Sequence, residues 1–336
     1  MRAIRAILKC ILAGVVAVAI LCVLFVFYVF TPIHTANTNA NTDYIWTANA
    51  RWARMTEGIA WGKFDANGYN NLTVLDNPDI LLLGSSHMEG LNVRQEETVA
   101  SLLNQTFAGE YSAYNLGISG HNFIKVCKYL PTTLELYDEP PEYIVIETSN
   151  VAFHSTDVDA LLGGTVEYTH SYDTGVIAVL QRFPFLRLMY YQLSKGLLDV
   201  FMPGRNADME ASTEESLPPN EQSYDALFEY ISRSMNKSTS KLIIFYHPTE
   251  MLQKDGSVSF LVNEQYTDLF SKKCDEYGII FIDMTQPFTE MYNTTHQLPH
   301  GFITGEIGTG HLNAAGHKAI AQALADKIAQ LRKESE

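Results

Sequence analysis

Residues 78–90 read PDILLLGSSHMEG, and this stretch decides the predicted fold. The apolar run 80–83 shows no alternation with polar side chains, which is typical of a strand buried on both faces of a parallel sheet. It stops at Gly84-Ser85-Ser86-His87, and a helical pattern begins near Gln95. A strand-to-helix turn of small residues places one hydroxyl above the sheet edge, among peptide N–H groups. Taken alone, the stretch also fits an ordinary Gly-Ser turn, so the rest of the chain has to decide between the two interpretations.

Four further short apolar segments follow, and amphipathic helical patterns separate them. The five predicted strands are residues 79–83, 111–116, 143–146, 241–246 and 279–282. Alternating strands and helices predict a three-layer α/β domain with a five-stranded parallel sheet. We place this domain at residues 76–336, with an insertion at about 151–222. In such sheets the ligand lies beyond the carboxyl ends of the strands.

The N-terminus carries the strongest hydrophobic signal of the chain. Residues 7–30 form one apolar run interrupted only by Lys9. At about 1.5 Å per residue this run spans a hydrocarbon core of about 30 Å, and it exceeds the apolar region of about 7–15 residues found in signal peptides. We therefore predict an uncleaved, single-pass membrane anchor. Arg2, Arg5 and Lys9 are the only charges before residue 31, which predicts cytoplasmic residues 1–6 and an extracytoplasmic remainder.

Residues 31–75 form a juxtamembrane segment that is rich in tryptophan. It begins with a short Thr- and Asn-rich linker and then contains all three tryptophans, Trp46, Trp52 and Trp61. Amphipathic rings of this kind pack on a folded domain or lie at a membrane interface. The sequence leaves both placements open.

Charge and cysteine content exclude several classes of function. Without the three N-terminal cations, 20 basic residues face 38 acidic ones, a net charge of about −18. Such a surface repels phosphates, so we predict no nucleic-acid partner. Outside the anchor, Cys127 and Cys274 lie on predicted helix faces and are interpreted as two separate buried thiols, although an oxidising exterior would permit a disulfide. No CxxC or Cys/His metal spacing occurs, and we predict no cofactor.

Four polar positions fall at one edge of the predicted sheet. Ser86, Gly120 and Asn150 follow the first three strands, and His311 precedes the last helix. Acyl transfer through a serine requires a nucleophilic hydroxyl, an imidazole that takes its proton, and N–H donors for the developing oxyanion. Ser86 and His311 supply the first two. The N–H groups of Ser86 and Gly120 and the side-chain amide of Asn150 are the candidate donors.

These positions resemble the SGNH (GDSL) hydrolase family, which is named for a Ser, a Gly, an Asn and a His in this order. The matching blocks are ILLLGSSHMEG at 80–90, YNLGISGHNF at 114–123, IVIETSN at 144–150 and GHLNAAGHKAI at 310–320. The resemblance covers roughly residues 78–334 outside the insertion. It implies a flavodoxin-like fold and serine esterase or acyltransferase chemistry. A single N-terminal anchor followed by an outer domain of this kind is also similar to bacterial proteins that add or remove acyl groups on cell-envelope polymers.

The sequence departs from the family pattern at two positions. Ser85 stands where the family commonly has Asp before the serine, and Gly308 stands where it has the Asp of the catalytic triad. A carboxylate on the far nitrogen of the imidazole orients the ring, so a replacement is expected. We predict Glu306 in this role. Asp283 at the end of the fifth strand and a Ser-His dyad without any acid remain as alternatives.

Two rival interpretations concern the same edge. His87, His121, His154 and His247 each follow a predicted strand, and histidine is a common zinc ligand, so a metal site is one alternative. A catalytically inactive, glycan-binding domain is the other. Metal analysis and covalent labelling of the serine distinguish them.

The resulting hypothesis is a membrane-anchored serine esterase or O-acyltransferase. Its expected substrate is an acyl ester, such as an O-acetyl group on a cell-envelope glycan. Water and a sugar hydroxyl are equivalent attackers on an acyl-enzyme, so the sequence leaves hydrolysis and transfer open. If the chain transfers acyl groups, a membrane-bound acyltransferase is the expected partner.

Overall fold

A five-stranded parallel sheet forms the centre of the computed structural model, which describes residues 2–28, 34–36, 41–54, 57–165, 219–235 and 238–335. The sheet strands are β5 (Ile80–Leu83), β6 (Ala113–Asn115), β7 (Tyr143–Thr148), β8 (Lys241–Tyr246) and β11 (Ile280–Asp283). Their spatial order is β6-β5-β7-β8-β11. Numbered along the chain this is 2-1-3-4-5, the flavodoxin-like order, in which ligands bind where the order reverses. The predicted fold class is confirmed.

Helices lie on both faces of the sheet, except the N-terminal helix, which belongs to a separate compact unit. Those described are α1 (Arg2–Tyr28), α2 (Ser86–Glu89), α3 (Val99–Phe107), α4 (Phe123–Leu134), α5 (Ser155–Leu162), α6 (Glu221–Met235), α7 (Glu264–Glu276), α8 (Thr285–Thr295) and α9 (Ala314–Ser335). Helices α3 and α9 contact each other, and their apolar side chains join Leu82 and Val145 in one core cluster. Helices α4, α5 and α6 contact one another. Every residue of β5 and β7 is buried, as expected for a sheet between two helix layers.

Short strands outside the main sheet carry several site residues. They are β1 (His34–Ala36), β2 (Tyr44–Trp46), β3 (Arg51–Arg54), β4 (Ala60–Lys63), β9 (Glu250–Leu252), β10 (Val258–Phe260), β12 (His300–Gly301) and β13 (Ile307–Leu312). Strands β9 and β10 form one antiparallel pair, and β12 and β13 form another.

The chain divides into two compact units, which are described separately. The first contains α1, whose segment Ile4–Leu24 has a mean hydropathy of 2.9 and is long and apolar enough to cross a membrane. A signal sequence near the N-terminus has the same character. The second unit contains the sheet. Of the predicted insertion, residues 166–218 lie outside the described residues.

Part of the tryptophan-rich segment belongs to the second unit. Trp46 is buried, stacks on Phe64 at 5.1 Å between ring centroids, and donates its indole N–H to Glu89. Trp61, in contrast, is 59% exposed. Trp46 therefore packs on the folded domain. The two cysteines of this unit, Cys127 and Cys274, are free and buried, which confirms the prediction of separate thiols.

Candidate active site

The turn after β5 places Ser86 at the first position of α2. Ser85 caps this helix, since its Oγ accepts the backbone N–H of His87 at 3.2 Å. The backbone N–H of Ser85 donates to Glu147 Oε2 at 2.6 Å. A Cβ on Gly84 would lie 2.6 Å from the same oxygen, so only glycine lets the turn approach this carboxylate so closely. The turn is therefore anchored by a side chain from β7.

The imidazole of His311 faces the serine. Its Nε2 lies 2.9 Å from Ser86 Oγ, across 225 positions of sequence. His311 lies near the end of β13, and Asn313 follows it as the cap of α9, accepting the N–H groups of Ala315 and Gly316 at 2.9 and 3.2 Å. The structure thus brings together the two residues that the sequence assigned as nucleophile and base.

The carboxylate at the far nitrogen of this imidazole belongs to Glu57. Glu57 Oε2 lies 2.7 Å from His311 Nδ1, and Glu57 Oε1 accepts the backbone N–H of His311 at 2.7 Å. Gly310 makes this approach possible: its φ is +82°, and a Cβ there would lie 2.2 Å from Glu57 Oε1. Ser86, His311 and Glu57 therefore form a hydrogen-bonded chain in the order that a catalytic triad requires.

Two contacts hold the backbone at Glu57 in place. Its carbonyl accepts Asn92 Nδ2 at 2.7 Å, and the next residue, Gly58, donates its N–H to Thr304 Oγ1 at 2.9 Å. Gly58 has φ +81°, and a Cβ there would meet the carbonyl oxygen of Asn92 at 2.2 Å. The carboxylate is thus positioned by the loop after α2 on one side and by the β12–β13 connection on the other.

The two carboxylates considered from sequence have other partners. Glu306 is exposed, and its Oε2 accepts Thr309 Oγ1 at 3.0 Å. Asp283 Oδ1 accepts the N–H and the hydroxyl of Thr285 at 2.8 and 2.5 Å. The expected position of the acid is therefore corrected to Glu57, and the dyad alternative is not what the geometry shows. Glu57 could not be predicted from the sequence, because it lies before the first of the four blocks that resemble the family. The one available signal was the high density of large side chains in the segment around it.

The candidate oxyanion donors differ in how they are placed. As the first residue of α2, Ser86 has an N–H group without an acceptor inside the helix. Gly120 is exposed with φ +81°, and no atom lies within 4 Å of the position of a Cβ. The Asn150 amide is folded back on its own loop: Nδ2 donates to the Ala152 carbonyl at 3.1 Å, and Oδ1 accepts the Ala152 N–H at 2.8 Å. One hydrogen of this amide remains for another acceptor.

A buried carboxylate also holds the loop that carries Gly120. The backbone N–H of Ser119 donates to Glu89 Oε2 at 3.2 Å, and the Ser119 hydroxyl donates to the same oxygen. The hydroxyl of Tyr44 donates to the Ser119 carbonyl at 2.6 Å. Burial raises the pKa of Glu89, against the hydrogen bonds from Ser119 and Trp46. Ser86 follows Ser85, whose N–H donates to Glu147, and Gly120 follows Ser119, whose N–H donates to Glu89. A buried glutamate therefore holds the residue before each candidate backbone donor.

A second chain of polar side chains lies buried beside the nucleophile turn. Glu147 Oε1 lies 2.8 Å from His247 Nε2, and His247 Nδ1 lies 3.2 Å from His300 Nε2. His300 Nδ1 lies 2.5 Å from Glu250 Oε2, while Glu250 Oε1 accepts the His300 backbone N–H at 2.8 Å. Burial opposes ionisation of Glu147, but the hydrogen bonds from His247 and from the Ser85 N–H lower its pKa to about 2.

The histidines proposed as alternative metal ligands do not all converge. His121 accepts or donates at Thr42 Oγ1 (3.1 Å) and stacks on Tyr129, and His154 lies at the start of α5. His87 and His247 do approach each other, and with His300 they offer three ligand atoms within 4.8 Å of one another. However, His87 Nδ1 accepts the Leu312 N–H at 3.3 Å, which leaves the proton of a neutral ring on Nε2. As placed, His87 has no lone pair to add, so the donor set does not fit a three-histidine metal centre.

A small cavity of about 130 Å³ opens between the nucleophile turn and the end of β7. Its lining includes Ser85, Phe123, Ile124, Asn150 and Phe153. The cavity combines apolar walls with the polar edge of the sheet, as small-ligand sites do.

Comparisons with known proteins concern the fold. No family model matches the chain, and no curated protein matches it either. Similar solved structures include an acetyl xylan esterase, at 15% identity and a TM-score of 0.40, covering 74% of this chain and 98% of the other. A lipase/acylhydrolase from Enterococcus faecalis is 12% identical with a TM-score of 0.40, covering 74% of this chain and 94% of its own. A member of the lipolytic G-D-S-L family from Veillonella parvula is 13% identical with a TM-score of 0.37, over 72% and 93% of the two chains.

Likenesses at this level carry no argument about activity, so the site has to be judged on its own geometry. The chain contains the four sequence blocks, the strand order 2-1-3-4-5, and a serine and a histidine in hydrogen-bonding contact. In these three respects, with Glu57 in place of the usual aspartate, it resembles the SGNH/GDSL hydrolases.

Proposed function

We propose that this chain is a serine esterase or O-acyltransferase. The observation that carries the proposal is the chain of hydrogen bonds from Ser86 Oγ to His311 Nε2 (2.9 Å) and from His311 Nδ1 to Glu57 Oε2 (2.7 Å). A serine hydroxyl is a weak nucleophile until an adjacent base accepts its proton, and the base needs a partner that fixes its tautomer. The three side chains are each partly open to solvent, which supports access of a substrate.

In the first half-reaction, Ser86 Oγ attacks the carbonyl carbon of an ester while its proton passes to His311 Nε2. The tetrahedral oxyanion collapses, the bond to the leaving alkoxide breaks, and the imidazolium returns the proton to that oxygen. The products are an alcohol and an acyl-serine. In the second half-reaction, water or a sugar hydroxyl gives its proton to His311 and attacks the acyl carbon. The bond between this carbon and Ser86 Oγ then breaks, and the imidazolium returns the proton to Oγ. The products are free Ser86 and a carboxylic acid or a new ester.

Glu57 acts on the imidazole and not on the substrate. Its carboxylate accepts the Nδ1–H, so the lone pair of neutral His311 lies on Nε2, where the serine needs it. Once His311 is protonated, the negative charge stabilises the imidazolium. The proposed oxyanion donors are the N–H groups of Ser86 and Gly120 with the second hydrogen of the Asn150 amide.

We further propose that the substrate is an acyl ester, such as an acetyl ester on a cell-envelope glycan. The cavity of about 130 Å³ beside the nucleophile turn supports a short acyl group. The apolar segment Ile4–Leu24, preceded by Arg2, supports an anchored domain outside the cytoplasmic membrane. A glycan hydroxyl as acceptor would make the chain a transferase, with a membrane-bound acyltransferase as the donor-supplying partner.

The first experiment tests the serine mechanism on the full chain. A fluorophosphonate probe should label the wild type and the Ser85→Ala variant but not Ser86→Ala. Ser86→Ala should also lower kcat on p-nitrophenyl acetate by about a thousandfold or more, because only binding and the oxyanion donors remain. Labelling that persists in Ser86→Ala and disappears in Ser85→Ala would move the nucleophile by one residue. Absence of labelling in all three proteins would refute the serine mechanism.

The second experiment tests the location. An alkaline phosphatase fused after Glu336 should be active in cells, because the enzyme folds only in an oxidising, extracytoplasmic compartment. A fused reporter that works only in the cytoplasm would overturn both the orientation and the envelope substrate.

A further inference from the structure

The buried chain Glu147–His247–His300–Glu250 contains more hydrogen bonds than two neutral imidazoles can supply. Its three contacts measure 2.8, 3.2 and 2.5 Å, and each needs one proton between the two heavy atoms. Two neutral histidines carry only two ring protons. If these two bind the glutamates, the lone pairs of His247 Nδ1 and His300 Nε2 face each other at 3.2 Å. That gap is too short to hold a water molecule, so the chain needs one further proton.

The carboxylates are poor places for this proton. Both oxygens of Glu147 already face donors, the Ser85 N–H at 2.6 Å and His247 Nε2 at 2.8 Å. Glu250 Oε1 accepts the backbone N–H of His300 at 2.8 Å, and its Oε2 lies 2.5 Å from His300 Nδ1. Hydrogen bonds to a carboxylate favour its ionised form, and those to Glu147 lower its pKa to about 2. Glu147 and Glu250 are each 2% exposed, so an imidazolium between them also offsets the cost of burying two negative charges.

We propose that His247 and His300 share one additional proton between Nδ1 and Nε2, and that the resulting cation keeps Glu147 ionised as the anchor of the nucleophile turn. The anchor acts through the Ser85 N–H, one residue before Ser86, and so sets the direction from which Ser86 Oγ meets His311. Glu147, His247, His300 and Glu250 are positioning residues in this account. The inference rests on the proposed serine chemistry for its kinetic consequence, but the shared proton is a property of the folded protein itself.

The groups around the pair define the pH at which the proton is lost. Burial lowers the pKa of His247 and the neighbouring His300 acts in the same direction, while Glu147 and Glu250 act against both. Burial also lowers the pKa of His87 on α2 and of His317 on α9, so these two rings face the pair as neutral groups. His311 lies beyond His87, with 5.3 Å between their ring centroids. As the pH rises, loss of the shared proton leaves two opposed lone pairs and loosens the turn. The pH profile of kcat/KM should therefore have an alkaline limb in addition to the acid limb of the base.

The decisive variant is Glu147→Gln, because it removes the need for the extra proton. Its amide oxygen still accepts the Ser85 N–H, and its NH₂ donates to His247 Nε2. His247 then donates from Nδ1 to His300 Nε2, and His300 donates to Glu250, so all three contacts are satisfied by neutral rings. We expect kcat at neutral pH within about threefold of wild type, the acid limb retained and the alkaline limb absent. Glu147→Leu, which cannot accept the Ser85 N–H, should lose tenfold or more in kcat at every pH, with little change in KM.

An unchanged alkaline limb in Glu147→Gln would overturn the proposal. So would equal losses in the Gln and Leu variants with the pH profile unaltered, since those indicate only a structural role. A readout independent of activity is NMR of the full chain in detergent with ¹⁵N-labelled histidine. The shared proton should give a far-downfield signal that couples to nitrogens of two histidines and vanishes in Glu147→Gln.

Two outcomes separate this inference from others. Stoichiometric zinc in the purified full chain, with its loss on His300→Asn, would show that a metal and not a proton joins the two nitrogens, and would overturn the proposal. If fluorophosphonate labelling fails but the downfield signal is present, the proposed function is wrong and the shared proton stands.

Discussion

Replacing Glu57 by Gln tests the geometry of the site at its least expected residue. The backbone N–H of His311 donates to Glu57 Oε1 at 2.7 Å, and the amide oxygen of a glutamine would keep that contact. The amide NH₂ is then directed at His311 Nδ1. Because it donates there, Nδ1 has to carry the lone pair and the ring proton moves to Nε2. His311 would donate to Ser86 Oγ instead of accepting its proton.

The size of the effect follows from this reversal of the tautomer. Wrong-tautomer substitutions in serine proteases lower kcat by about 10⁴-fold. The side chains of Glu57 and His311 are 29% and 32% exposed, so water can solvate part of the developing charge. We therefore expect a loss of about a thousandfold in kcat, equivalent to about 4 kcal/mol, with KM nearly unchanged.

The assay is steady-state hydrolysis of p-nitrophenyl acetate by the full chain, with thermal unfolding as a check of folding. Glu306→Gln is the matched control, because it makes the same chemical change five residues before His311. Among the described residues, the Glu306 carboxylate accepts a hydrogen bond only from Thr309. It should keep wild-type kcat. Full activity of Glu57→Gln, or an equal loss in both variants, would refute the assignment of Glu57 as the acid.

Two further substitutions test the packing around the site. Gly310→Ala should lower kcat by about tenfold or more, because its Cβ would lie 2.2 Å from Glu57 Oε1 and displace the carboxylate. Gly256→Ala is the control: Gly256 also has a positive φ (+83°) but faces open space, so this variant should lose only about 1–2 kcal/mol of stability and keep its kcat. Equal kcat in the two variants would contradict this prediction. His317→Leu should raise the free energy of unfolding by about 1–3 kcal/mol at pH 7, since neither ring nitrogen of His317 has a hydrogen-bond partner in the described part of the chain. Burial lowers the pKa of His317 to about 3, so the unfolded chain takes up its proton first as the pH falls below about 6.5. The advantage of the leucine variant, measured by chemical denaturation, should grow down to about pH 3, and a variant less stable at pH 5 than the wild type would be evidence against this reasoning.

Local patterns were enough to predict most of the sheet. Strand β8 has the predicted bounds, Lys241–Tyr246, and β5 differs from its prediction by one residue. A fully buried strand is a continuous apolar run, and the ends of that run mark the ends of the strand. Its position can therefore be predicted from the sequence. Strand β6 is three residues shorter than predicted, because pairing with β5 extends only from Ala113 to Asn115.

Ser86 and His311 could be assigned from sequence because each lies in a short block where a strand meets a turn, and the chemistry of that turn is local. The position of the acid could not be predicted in this way. Glu57 meets His311 across 254 positions, and its approach depends on the missing side chain of Gly310 and on the loop contacts of Asn92 and Thr304. The same holds for His300 and Glu250, which have no spacing signature but meet in the folded chain. The sequence by itself determined the fold class and the candidate nucleophile and base, because backbone periodicity and turn chemistry are encoded over a few residues. Only the tertiary structure decided which carboxylate orients the base, because that choice depends on distances between segments that are remote in the chain.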